Sequence, residues 1–434
     1  MNMAINNKKQ GWTIISIMIF MVTLIATTSH GQLSLQGSIE AGVTHAQGGS
    51  YYYYNEISDD RRGWSAGLTE IKAYGGYDLK KFTFHLQPSF ARDEGSNSYK
   101  IAIDQANIEY HFSNMDASLS LGMFINPFGA FYNRQFSQDR HLLSAPLQYS
   151  YYQNISEYIG FFDGLDETEF SDIPMSMDID SADVHGRSMN YRYAYLGGLK
   201  FDWTSSDGKY SLSTALGNRY GPHGIITPPF EFVNRFGMDV SWAFSHGLSL
   251  KYGSFRKSDY EENFGFMESD QLKPFTQLQI GYDFIYGSSF LEVSGELTYS
   301  QLSVAEYDMD DGFIIVGDAV PNQSLSSYGG YIDVRYELPM LPGFHALVRT
   351  ENISHSSLDG EKWDNNVWRN TLLLGYKVNQ NILIRAQYSI QSISFEMGGP
   401  SGPGPGPGPG PGPSMPMSDD NGVNFFLLGV TAHL

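Results

Sequence analysis

Apolar and polar side chains alternate one by one along most of this chain, and that pattern leaves few folds open. In 381–395, Ile382, Ile384, Ala386, Tyr388 and Ile390 fall on one face, with Leu383, Arg385, Gln387, Ser389 and Gln391 on the other. A period of two is a β-strand with two unlike faces. In 327–339, Ile332, Val334, Tyr336 and Leu338 oppose Tyr331, Asp333, Arg335 and Glu337. In 188–203, Met189, Tyr191, Tyr193, Tyr195, Leu199, Phe201 and Trp203 oppose Asn190, Arg192, Lys200 and Asp202. The apolar stripes often end in Tyr, Phe or Trp, like a lipid-facing band with aromatic girdles, and the opposite faces carry charges suited to water.

Strands of this kind are predicted at 33–45, 66–78, 79–92, 101–112, 116–126, 188–203, 209–219, 232–245, 247–256, 273–286, 288–302, 327–339, 343–355, 366–378, 380–396 and 421–434. Their number is even, as single-chain bacterial barrels require. The connections alternate in length. Short ones at 78–81, 112–117, 205–209, 245–247, 286–289, 339–343 and 378–381 hold turn formers such as Asp207-Gly208 and His246-Gly247. Long ones lie between. The pattern predicts an all-β fold, a transmembrane antiparallel up-and-down β-barrel of about 16 strands, with short periplasmic turns and long extracellular loops. Pairing of 128–133 with 149–155 would raise the count to 18. A mean hydropathy of −0.29 argues against a polytopic helical membrane protein and suits strands with one wet face.

Lys8 and Lys9 precede an apolar run over 12–26, and Ser29 and Gly31 precede a cut ahead of Gln32. This is the pattern of a secretory signal peptide over 1–31, and the run is short for a membrane-spanning helix. Residues 32–434 then make one barrel domain, exported to the outer membrane of a Gram-negative bacterium, with no separate N-terminal plug. The chain has no cysteine, which excludes a disulfide scaffold and thiol chemistry. Its net charge of −20 disfavours a phosphate-backbone binder, so no nucleic-acid partner is expected.

Gly122-Met123-Phe124-Ile125-Asn126-Pro127-Phe128-Gly129 closes a strand before a long connection. On this run and the strand pattern, the chain resembles the porin-like outer-membrane barrels of the Bacteroidota, including the phosphate-selective porin O/P-like group. Phosphate specificity does not carry over, because those porins line their path with basic residues and this chain is acidic where a constriction is expected. Phe426, Leu428, Val430, Ala432 and Leu434 alternate to the last residue. They look like the terminal strand that the outer-membrane assembly machinery recognises, although such strands usually end in Phe or Trp.

The connection 127–187 is the longest and is rich in aromatics, so part of it is expected to fold into the lumen as a constriction loop does in sixteen-stranded porins. It carries Asp163, Asp166, Glu167, Glu169, Asp172, Asp178, Asp180 and Asp183 with no Lys or Arg between His141 and Gly186. A one-sign cluster in a low-dielectric mouth gathers counter-ions; a solvated outer loop is the alternative. Asp178, Asp180 and Asp183 are a weak Ca²⁺ candidate, lacking the full twelve-residue loop. By parity, inward acids and bases balance. Arg335, Arg349, Arg369 and Arg385 form a candidate basic column, with Glu292, Glu296, Asp333 and Glu337 as lumen acids. The other reading is salt-bridged pairs that stiffen a closed lumen. The loop 398–420 contains a Gly-Pro repeat that cannot join a ladder, since half its residues lack an N–H.

These features predict a porin that passes small hydrophilic solutes and ions by passive diffusion, with mild cation preference. The alternative is a plugged barrel serving as a structural or assembly partner, or a surface adhesin. No residue grouping marks a nucleophile and base, so neither an enzyme nor a cofactor is expected. Expected partners are outer-membrane lipid and lipopolysaccharide, the assembly machinery, small polar solutes and other copies of the chain.

Overall fold

The computed structural model describes residues 32–47, 63–92, 99–134, 140–153, 155–156, 160–162, 187–190, 195–219, 230–254, 275–304, 306–310, 313–315, 323–358, 361–394 and 422–433. The expected signal segment 1–31 and the Gly-Pro repeat lie outside the described residues.

Sixteen antiparallel strands close into one barrel. They are β1 Gln32–Gln47, β2 Gly63–Leu79, β3 Phe82–Arg92, β4 Tyr99–His111, β5 Ala117–Ile125, β6 Tyr195–Thr204, β7 Tyr210–Arg219 and β8 Phe230–Ser241. The second half is β9 Phe244–Ser254, β10 Thr276–Gly287, β11 Leu291–Val304, β12 Gln323–Glu337, β13 Phe344–His355, β14 Asn366–Asn379, β15 Ile382–Ser394 and β16 Gly422–His433. Each strand pairs with its sequence neighbour, and β1 pairs with β16 from Ser38↔His433 to Gln47↔Asn424. The alternation therefore becomes an inside and an outside. On β14, Trp368, Leu372 and Leu374 are about half exposed, whereas Arg369, Thr371 and Leu373 between them are buried. The same outer exposure recurs around the barrel, and an apolar surface this continuous is built for hydrocarbon rather than water. Aromatic pairs such as Phe344–Tyr376, with ring centroids 4.3 Å apart, and Phe82–Tyr110, at 5.2 Å, lie at the short-turn end.

Extra barrel strands at 128–133 and 149–155 do not form. Phe131–Arg134 is a 3₁₀ turn and Leu147–Ser150 a single helical turn. Tyr152–Gln153 instead pairs with Arg187–Ser188 away from the barrel ladder. Two expected boundaries also move. The strand placed at 188–203 begins at Tyr195, and Met189 is wholly buried with its carbonyl accepting from Gln277 and Gln279 of β10. Ser188 pairs with Tyr152 off the barrel ladder, so periodicity alone overextends the strand. The turn expected at His246-Gly247 falls at 242–243, where the Ser241 hydroxyl accepts the Ala243 N–H at 3.3 Å. Gly247 sits in the ladder instead; a Cβ there would stand 2.7 Å from the Arg235 guanidinium.

At the long-loop end, Glu306–Asp310 pairs with Phe313–Ile315 and runs parallel to Gly160–Phe162, which pairs with Ile155–Ser156. This small sheet ties the third long connection to the sixth.

Candidate functional site

The third long connection enters the barrel through the Gly122–Gly129 run. Gly122 has φ +123° and Gly129 φ +68°, both in territory that L side chains avoid. Between them the Asn126 side-chain oxygen accepts the Phe128 N–H at 3.1 Å and turns the chain inward. Phe128 then packs with Phe124, Leu196, Ala215 and Val233 on the inner wall. Room for its ring comes from Gly281 of β10, where a Cβ would lie 2.8 Å from Phe128 Cζ.

Glu296 of β11, fully buried, holds the next turn. One carboxylate oxygen accepts the N–H groups of Ala130 (3.1 Å) and Phe131 (3.4 Å). The other accepts from Gln148 (2.7 Å), Asn190 (3.3 Å) and the Tyr149 hydroxyl. Five donors from three parts of the connection thus meet on one side chain. Farther along, the Leu143 N–H donates to Gln387 and the Leu147 N–H to Glu351, at 2.9 and 2.7 Å. The Ala145 and Arg140 carbonyls accept from Arg369 and Arg385. The described parts of this stretch, 126–134 and 140–153, therefore lie inside the barrel against its inner wall. Inward glycines mark their seat: a Cβ on Gly329 would lie 2.7 Å from Met189 Sδ.

The four arginines face inward on β12–β15, and each has a carboxylate partner. Arg349 makes two bonds to Asp333, at 2.6 and 2.7 Å. Arg369 pairs with Glu351 and Arg385 with Glu40, both at 2.6 Å. Arg335 reaches Glu337 at 2.9 Å and Glu292 at 3.9 Å. Glu292 also takes Arg134 of the seated connection at 2.9 Å. Beside it, His141 accepts from Arg134 at 3.1 Å. Burial, followed by the Arg134 charge, pushes the His141 imidazole down to about 2, so it stays neutral. Asp163, Asp166, Glu167, Glu169, Asp172, Asp178, Asp180 and Asp183 lie outside the described residues, and with them the Ca²⁺ candidate. Among the described residues no group of three His, Asp or Glu could hold a metal ion.

Inner charges differ in exposure around the wall: the Arg349–Asp333 side chains are 3% and 4% exposed, whereas Glu109 is 21%, His111 46% and Glu337 54% exposed. Around Glu109, β2–β4 carry a polar chain that parity only hinted at. Tyr74 bonds His85 at 2.5 Å, His85 bonds Glu109 at 2.9 Å, and Thr83 joins His111 (2.9 Å) to Asp78 (2.6 Å). Lys72–Glu70 and Lys200–Asp202 flank it, at 2.7 and 2.8 Å.

A closed sixteen-stranded antiparallel barrel with an apolar outside, a charged inside and an inward-folded connection is the architecture of the outer-membrane porins. Among solved structures the chain is similar to an anion-selective porin from Comamonas acidovorans (TM-score 0.56, 7% identity, 93% of this chain and 100% of that one). It is also similar to the outer membrane channel DcaP of Acinetobacter baumannii (TM-score 0.55, 9% identity, 94% and 99%) and to Salmonella typhi OmpF (TM-score 0.51, 11% identity, 93% and 97%). These likenesses establish the fold. No protein-family model and no curated protein sequence matches the chain.

Proposed function

We propose that this protein is an outer-membrane porin, exported by the segment 1–31, that passes small hydrophilic solutes and ions by passive diffusion. The observation that carries this reading is a lumen that is narrowed yet still charged. Phe128, Leu147, Gln148 and Tyr149 of the third connection are seated against the inner wall, while charged side chains such as Glu109 and Glu337 keep contact with solvent. In this reading 127–187 is the constriction loop and catalyses nothing. Mild cation preference is part of the same proposal and is carried by the acids between Asp163 and Asp183, which would put one sign of charge at the mouth. Planar-bilayer recording tests it: steady ohmic steps, with a reversal potential displaced toward the cation, are expected. A folded, inserted barrel without conductance would replace this reading with that of a plugged structural or adhesive barrel.

A further inference from the structure

Between the seated connection and the short turns, three inner side chains hold N–H groups that nothing accepts. Arg349 commits its Nε and Nη2 to Asp333, at 2.6 and 2.7 Å, and the Tyr331 ring covers a face of its guanidinium at 4.6 Å. Its Nη1 edge is buried and, among the described residues, has no hydrogen-bond partner. The same holds for Arg335 Nε, although Arg335 Nη2 donates to Glu337 at 2.9 Å. His141 supplies the third. An arginine can only donate, so the 3.1 Å bond from Arg134 makes His141 Nε2 the acceptor. The imidazole is neutral, and its hydrogen therefore sits on Nδ1, which is again buried and without a partner among the described residues. Arg134, Arg335 and Arg349 are the cations whose charges act on His141, so the three donors belong to one cluster.

Buried donors without an acceptor are costly. Together the three groups offer about four hydrogens, and a carboxylate has about four lone-pair sites where one water has half as many. Arg335 and Arg349 are diagonal neighbours across β12 and β13, about 7–8 Å apart at the backbone. Two oxygens on one carbon span such a gap better than a monatomic ion does. The balance of charge sets the valence. Arg134, Arg335 and Arg349, with Lys377 whose charge reaches His345, stand against Glu292, Asp333 and Glu337, so one negative charge is missing rather than two. The cluster can be reached from the lumen, since the His141 and Arg335 side chains are 13% and 19% exposed. We infer that this cluster is a docking site for the carboxylate of a small organic monoanion, held by His141, Arg335 and Arg349 as the solute passes. The inference deepens the porin reading by naming a solute class, and it rests on that reading for the passage but not for the binding.

Saturation-transfer NMR on the full-length barrel folded in detergent micelles tests this, with sodium propionate as the probe and empty micelles as the blank. Saturation is expected to reach the propionate methyl group from the protein, and equimolar chloride or inorganic phosphate should not displace it. Propionamide, which keeps the shape without the charge, should receive none. Affinity for propionate should fall about tenfold in Arg335→Gln and in His141→Phe, each of which removes one donor. Either variant decides the matter should the other fail to fold. No transfer to propionate, equal transfer to propionamide, equal affinity in the folded variants, or displacement by equimolar chloride or phosphate overturns the inference. Because binding is read without current, a barrel that takes propionate but does not conduct removes the porin reading and leaves the site. A conducting barrel that ignores propionate does the reverse.

Discussion

Glu296 shows how much one side chain can organise. Its carboxylate collects two backbone N–H groups and three side-chain donors from residues 130 to 190, in a place with no exposure. Glu296→Ala strands those donors, and each buried orphan costs about 1–3 kcal/mol. The expected result is an intact barrel whose third connection becomes protease-sensitive and whose conductance is larger and noisier. Gly129→Ala should act in the same direction, because its Cβ would stand 2.5 Å from Glu296 Oε2 at a φ of +68°. His141 adds a pH dependence. Its folded imidazole titrates near about 2 and the unfolded one near 6.5, so the unfolded chain takes the proton first. Stability is therefore full above about pH 6.5 and falls as pH drops through that value. Thermal unfolding followed at pH 7.5 and at pH 5 should show a larger drop for the native chain than for His141→Gln.

At the level of elements, the strands and their facing were legible because a barrel wall converts a period of two directly into inside and outside. Arg335, Arg349, Arg369 and Arg385 each meet a carboxylate on the inner wall. Their partners were not legible, since parity does not give register. Asp333 meets Arg349 only because β12 and β13 align those two positions. Nor could periodicity foresee Glu296 as an anchor, because its donors lie more than a hundred positions away. A usable hint was present: glycines at inward positions of neighbouring strands, Gly281 and Gly329, leave room for something seated there. One cross-strand link spans the joint of the barrel. Arg385 of β15 bonds Thr431 of β16 and Glu40 of β1, each at 2.6 Å. Arg385→Ala should cost about 3–5 kcal/mol by leaving Glu40 without this partner, while Arg385→Met with Glu40→Leu should recover most of it. The temperature at which the barrel unfolds in detergent gives the readout.

Over the whole molecule, pairing of the inner charges leaves only a modest field within the lumen. The proposed cation preference should then shrink with salt, as screening shortens from about 10 Å at 0.1 M to about 3 Å at 1 M. Reversal potentials across a fixed KCl gradient at both concentrations measure this. The joint between β1 and β16 also sets an order in time. Glu40 and Arg385 are 345 positions apart, and bringing such distant points together costs on the order of 5 kcal/mol of chain entropy. Nothing formed earlier can offset that, because β1 has no second neighbour until β16 exists. Until then the growing sheet has two bare edges, each able to pair with any strand it meets. A newly made chain is thus safest while something else occupies those edges, and the last twelve residues of the barrel decide when that guardian can leave.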